Sequence, residues 1–148
     1  QQWRADMQSM KPELGVFVGT SSFQFDVYDE NGMLQAFGSQ GYVNRIRQAL
    51  DLTLRDFSSE RIVITSVPCT ALPSNVINNP KNDRTRTQFL NDLLRTYAEE
   101  HGYSFVDLDG VTCVPDPSDL YIDGLHFSPE GSAKVWDTLR PRLQQLTG

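Results

Sequence analysis

The sequence predicts an α/β fold, a parallel sheet with helices on both faces, and two observations predict it. Three short apolar runs, at 14–18, 61–67 and 103–108, read as strands, and amphipathic stretches at helical spacing follow each of them. Strand, helix, strand, helix, strand, helix is the order produced by right-handed crossovers onto one parallel sheet. Such a sheet places its site in the loops at the strands' C-terminal ends. Gly19, Cys69 and the segment from Asp107 to His126 all fall on that edge.

The elements follow in order. Trp3, Met7 and Met10 stand at helical spacing and Pro12 blocks continuation, which predicts the end of a helix packed on the sheet. Leu14-Gly15-Val16-Phe17-Val18 is a continuous apolar run, the pattern of a strand buried on both faces. Gly19-Thr20-Ser21-Ser22 then turns the chain. From Phe23 to Gln40 the composition is that of a loop, with a turn signal at Asn31-Gly32. A hairpin or flap over a site and an ordinary surface insertion fit this stretch equally well. Val43, Ile46, Leu50, Leu54 and Phe57 step by threes and fours and mark an amphipathic helix.

Arg61 to Val67 reads as the second strand, ended by Pro68. A loop rich in Pro, Asn and Ser runs to about Asp83, which can cap the next helix. That helix turns Phe89, Leu90, Leu93, Leu94 and Tyr97 to one face and stops near Gly102. His101 lies in its last turn, where a charged imidazole favours the dipole, so it is assigned a structural role. Tyr103 to Leu108 is the third strand. The final helix is expected to bury Ala133, Trp136 and Leu139, with Pro141 bending or ending it. Three strands make a thin sheet with an exposed edge that must be covered.

Composition narrows the function. At 148 residues and 39% hydrophobic content the chain is one domain, 1–148, with enough length for a core. A formal charge of −6 and no Lys/Arg cluster exclude a nucleic-acid surface. No apolar run approaches the ~20 residues of a membrane span, and the N-terminus lacks a signal pattern. The start at Gln1-Gln2-Trp3 reads as a cut, with any signal or anchor outside the chain. Two cysteines and two scattered histidines lack ligand spacing, so no metal and no cofactor are expected.

The densest chemistry lies in Tyr121-Ile122-Asp123-Gly124-Leu125-His126-Phe127-Ser128-Pro129-Glu130-Gly131. Ser128 can cap a helix whose first position suits Pro129, while Glu130 favours the positive end of the dipole. His126 then sits on the loop just ahead of that helix. A carboxylate on its Nδ1–H would fix tautomer and orientation, as a base requires, and the bend at Gly124 puts Asp123 in place. An isolated D-x-x-H is more often a solvated loop without chemistry.

Asp123-Gly124-Leu125-His126-Phe127-Ser128 resembles the last motif block of the SGNH (GDSL-type) hydrolases, in which a D-x-x-H pair completes a Ser-His-Asp triad. Val67-Pro68-Cys69, Arg86 with Asn91, Val106-Asp107-Leu108-Asp109, Cys113 and Asp123 to His126 occur in the order seen in SGNH domains fused to acyltransferase-3 membrane proteins. The resemblance covers most of the chain. It implies the three-layer SGNH/flavodoxin-like sheet, of whose usual five strands three are present here.

It also implies a serine esterase or O-acyltransferase acting on acyl, above all acetyl, esters of cell-surface carbohydrate or glycolipid. An upstream acyltransferase membrane domain or a separate N-terminal SGNH segment is the implied partner. The two cysteines alone are equally read as buried free thiols. If their strands are sheet neighbours they leave one edge within disulfide reach. With the resemblance, a Cys69–Cys113 disulfide worth about 3 to 4 kcal/mol and an extracytoplasmic location are expected.

The family's Gly-Asp-Ser block is absent. In one reading the chain carries the last three strands of the sheet and the nucleophile lies upstream or in another chain. Gly19-Thr20-Ser21-Ser22 then stands where the family has G-x-N-D, with Ser21 replacing the asparagine of the oxyanion hole. In the other, Gly19-Thr20-Ser21 is a degenerate Gly-Asp-Ser and Ser21 is the nucleophile. A catalytically inactive SGNH-like module that binds glycan or a protein partner is the alternative from another class. A flavodoxin-like binding domain would need a phosphate-binding turn at 19–22, which is faint.

The disulfide is checked by intact mass. The reduced protein is expected to be heavier than the native one by two protons, and equal masses would remove the bridge.

Overall fold

The computed structural model describes residues 9, 12–55, 57, 59, 61–73 and 79–147. In chain order its elements are β1 (Leu14–Phe17), the hairpin strands β2 (Val27–Tyr28) and β3 (Leu34–Gln35), and α1 (Gln40–Leu54). There follow β4 (Arg61–Thr65), α2 (Arg84–His101), β5 (Ser104–Val106), the one-turn α3 (Asp109–Thr112) and α4 (Pro129–Thr147). Short 3-10 turns lie at Ser21–Gln24, Pro80–Asn82 and Ser118–Leu120.

The main sheet is parallel, in the order β1-β4-β5. Leu14 to Phe17 pair in register with Arg61 to Ile64, and Val63 to Thr65 with Ser104 to Val106. The central strand takes the β-branched run Ile62-Val63-Ile64-Thr65, whose stiff side chains pack well on a pleated surface. Its period of two sorts the core into two layers. Ile62 and Ile64 face Ile46, Leu50, Leu54, Leu90, Leu94 and Tyr97 of α1 and α2. Val63 packs with Val106, Leu108 and the α4 residues Val135, Leu139, Leu143 and Leu146. Helices therefore cover both faces, as the sequence predicts.

Local signals set the helix ends. Ser39 accepts from Tyr42 N–H at the start of α1, and Asp83 accepts from the amides of Thr85 and Arg86 at the start of α2. Gly102 ends α2 at φ 68°, a left-handed conformation that a Cβ would disfavour. His101 has its Nδ1 2.8 Å from the Tyr97 carbonyl and stacks on the Tyr97 ring at 4.1 Å, in keeping with the structural role assigned to it. Asn31-Gly32 does turn a hairpin, β2–β3, so the 23–40 segment is structured.

Five expectations need correction or lie out of view. β1 is only half-buried and Val18 leaves it 60% exposed, because among the described strands β1 has one neighbour and forms the sheet edge. The first long helix stops at Leu54; Phe57 still packs on the core, but from the loop beyond. In α4, Ala133 is exposed and Trp136 is 51% exposed, because Val135, Leu139, Leu143 and Leu146 form the inward stripe. Pro141 does not end α4: it is exposed, so water can reach the Asp137 carbonyl that its missing N–H leaves free. The helix expected around Trp3, Met7 and Met10 falls outside the described residues apart from Ser9.

Leu94 is fully buried between α2 and the sheet, whereas Trp136 lies on the solvent side of α4. Leu94→Ala is expected to lower unfolding free energy by about 2–5 kcal/mol in urea titration, and Trp136→Ser by less than about 0.5 kcal/mol. The reverse order would overturn the assignment of α4's inner face.

Candidate active site

Parallel neighbours deliver their C-terminal ends to one edge, so the chain leaving β4 and the chain leaving β5 run out side by side. Cys69 and Cys113 join there in a disulfide, Cα atoms 4.9 Å apart. The buried Asn91 carries the pairing on where the strands stop: its Oδ1 accepts from Val67 N–H at 2.7 Å and its Nδ2 donates to Asp109 Oδ1 at 2.9 Å. Ser66 Oγ accepts from Leu108 N–H at 2.8 Å. Burial, with Asp107 adding to it, pushes the Asp109 carboxyl above its usual range.

On this platform rests the loop 120–128. Tyr121 and Phe127 form an antiparallel bridge, their rings 5.1 Å apart. Ile122 N–H donates to the His126 carbonyl at 2.9 Å, and Ser128 N–H to the Leu120 carbonyl at 2.8 Å. The loop is tied down by the Tyr121 hydroxyl, which donates to the Cys69 carbonyl, and by Ala71 N–H, which donates to the Gly124 carbonyl at 2.8 Å. Burial pushes the Tyr121 hydroxyl pKa up to about 12, so it stays a donor. Gly124 has φ 82°, and a Cβ there would lie 2.3 Å from the Ala71 oxygen. Ser128 Oγ accepts from Gly131 N–H at 2.9 Å, capping α4 as its sequence predicts.

Asp123 and His126 meet within this loop. Asp123 Oδ2 lies 2.7 Å from His126 Nδ1, while Oδ1 accepts from His126 N–H at 2.8 Å and Leu125 N–H at 3.0 Å. These donors, the His126 amide first and its imidazole second, hold the Asp123 carboxyl well below its usual 3.8. A depressed carboxyl contributes order that is present above its ordinary pKa and lost as pH falls through the lowered one. With Nδ1–H on the carboxylate, Nε2 carries the lone pair. The His126 side chain is 72% exposed, and no described group bonds Nε2.

Gly19 and Ser21 lie on the same edge, beyond β1. Gly19 N–H donates to the buried Thr65 Oγ1 at 3.2 Å, and a Cβ at Gly19 would lie 2.8 Å from the Thr65 carbonyl oxygen. Ser21 opens the 3-10 turn and is 8% exposed. The structure thus brings Asp123 to His126 and Cys69 to Cys113. It makes no hydrogen bond from Ser21, or from any other described serine, to the His126 ring. Among the described residues no group of three or more His, Cys, Asp and Glu is arranged to hold a metal. No described helix is long and apolar enough to cross a membrane.

Sequence reasoning missed Tyr121 and Thr65. A threonine amid Ile62-Val63-Ile64 hinted at the second; Tyr121 acts on a carbonyl 52 positions away, and nothing local announces it.

Comparison with known proteins shows the family and the fold. Residues 16–134 match the GDSL-like lipase/acylhydrolase family, and the chain belongs to that family, the SGNH hydrolases. No curated protein sequence matches. Among solved structures, a lipase/acylhydrolase from Enterococcus faecalis superposes with TM-score 0.68 at 18% identity, over 97% of this chain and 67% of that one. A GDSL-like lipase from Bacteroides thetaiotaomicron gives TM-score 0.64 at 18% identity, over 97% and 68%. A catalytic mutant of an acetylxylan esterase from Geobacillus stearothermophilus gives TM-score 0.62 at 18% identity, over 98% and 64%. The chain thus spans about two thirds of the length of these neighbours. Catalytic mutants of that esterase replace a serine and also an aspartate and a histidine, the latter two three positions apart.

Gly124→Ala forces a Cβ onto the Ala71 carbonyl and a side chain into positive φ. It is expected to cost about 1–3 kcal/mol of stability with the disulfide intact, measured by thermal unfolding beside intact mass. Wild-type stability would show that the loop does not depend on this contact.

Proposed function

We propose that the chain is the C-terminal part of an SGNH-type serine esterase or O-acyltransferase domain. The observation that carries this reading is the 2.7 Å contact of Asp123 with His126 Nδ1, which leaves Nε2 open at the sheet edge. A serine hydroxyl would attack the ester carbonyl as His126 Nε2 takes its proton. His126 would return that proton to the leaving alcohol as the tetrahedral intermediate collapses to the acyl-enzyme. Water would then release the acid, or an acceptor hydroxyl would take the acyl group. Asp123 orients the imidazole and stabilises its charged form. The spacing of Asp123 and His126 equals that of the aspartate and histidine replaced in the acetylxylan esterase mutants.

The serine is assigned to an upstream segment or a partner chain. Two facts support this: the chain spans about two thirds of its neighbours' length, and Ser21 makes no hydrogen bond to His126. Gly19 and Ser21 then belong to the turn that serves the oxyanion. The substrate class is an acetyl ester of cell-surface carbohydrate or glycolipid. The Cys69–Cys113 disulfide supports an extracytoplasmic setting, and an acyltransferase membrane domain is the proposed tether. Among the described residues no serine bonds His126, which also favours a second reading, an inactive SGNH-like module that binds glycan or a protein.

His126→Ala in the complete protein is expected to abolish acetyl-ester turnover and fluorophosphonate labelling while leaving the unfolding temperature unchanged. Turnover at the wild-type level would remove the triad assignment; no labelling of the wild-type complete protein would leave the binding module. Labelling of this chain alone at Ser21 would make Ser21 the nucleophile.

A further inference from the structure

The turn after β1 is held at both ends by side chains from elsewhere. At its start, Gly19 N–H donates to Thr65 Oγ1. At its end, the Tyr42 hydroxyl of α1 donates to the Phe23 carbonyl, and Arg86 Nη1 donates to the Gln24 carbonyl at 2.7 Å. The Gln24 side-chain amide donates to Thr87 Oγ1 at 2.6 Å, so Arg86 and Thr87, in the first turn of α2, grip the same residue.

Arg86 is itself held. Its guanidinium carbon lies 4.4 Å from the centre of the Phe37 ring, which packs against Tyr42 and Phe89 at 4.8 and 5.2 Å. A planar cation on a ring face keeps its N–H bonds in a fixed plane, and here one of them meets a carbonyl. Its contact with Asp83 is long, 3.8 Å, and partly exposed, which leaves the Gln24 carbonyl as its short polar bond.

Further along the same helix, Asn91 braces Val67 and Asp109, on the side that carries the Asp123–His126 loop. One rigid helix thus touches both halves of the site. We propose that Arg86 is a positioning residue: it clamps the Gly19–Ser21 turn to α2, so that this turn keeps its place relative to His126 during ester turnover. The inference rests on the esterase reading above and adds to it a residue that never touches substrate.

The test uses the complete protein with Arg86→Met, which keeps the length of the side chain and its contact with Phe37 but cannot donate. The expected result is a fall in kcat of about tenfold, with KM within about twofold and unchanged unfolding temperature. Arg86→Lys should recover part of the rate. Wild-type kcat in the Met variant, or a kcat loss that only follows a lowered unfolding temperature, would overturn the role. Amide hydrogen exchange reads the clamp without substrate: residues 19–25 should exchange faster in Arg86→Met while β4 and β5 are unchanged. Unchanged exchange at 19–25 would overturn the clamp itself. Equal turnover by wild-type and His126→Ala protein would instead remove the esterase reading, a separate outcome.

Discussion

The site hangs on the hydrogen bond from the Ala71 amide to the Gly124 carbonyl. It docks the loop bearing Asp123 and His126 onto the chain leaving β4, and Gly124 alone permits the approach, since a Cβ would collide with the Ala71 oxygen. The second attachment, from Tyr121 to the Cys69 carbonyl, lands on the residue that the disulfide ties to Cys113. With the cysteines 44 positions apart, the bridge removes about 4 kcal/mol of loop entropy from the unfolded chain. The platform under the loop is thereby covalently tied.

Such backbone support is needed because the pair has little burial to hold it. Both side chains are more than half exposed, so their attraction is screened by water and contributes modestly to stability. What the geometry supplies is orientation. Asp123 is anchored by two backbone amides through one oxygen, which leaves the other aimed at His126 Nδ1. The His126 amide is the largest cause of the depressed Asp123 carboxyl and the imidazole the second, so backbone and side chain share the anchoring. In the esterase reading, a covering segment that brought the serine would also exclude water from Nε2, where the same pair would act more strongly.

How much was legible follows from the range of each interaction. The Asp83 cap, the Gly102 stop, the Ser128-Pro129 helix start and the Asp123–His126 pair all close within a few residues, and each is readable in sequence. The three strands were readable as short apolar runs, and the central one is continuous because both its faces meet core. The inner face of α4 was not: Trp136 and Leu139 lie three apart, and Val135 and Leu139 four apart, so both stripes satisfy a helical period. Only packing against Leu14 and Val16 selects between them. The braces from Asn91, Arg86 and Tyr121 were invisible as braces because their partners lie 18 to 62 positions away.

Those long-range braces bear on the proposed reading in which Gly19-Thr20-Ser21-Ser22 stands where the family has G-x-N-D and Ser21 replaces the asparagine. A side chain that donates to an oxyanion is useful only if its backbone is held, and the backbone here is held at Gly19, Phe23 and Gln24 independently of the residue at 21. The turn's shape is therefore decoupled from the identity of its central side chain. In that reading, serine in place of asparagine would change which atom faces the reaction and how far it reaches, while the peptide path stays set by Thr65, Tyr42 and Arg86. In that reading a serine would shorten the reach of a donor without dissolving the turn, and the cost of the exchange would fall on transition-state binding rather than on the fold.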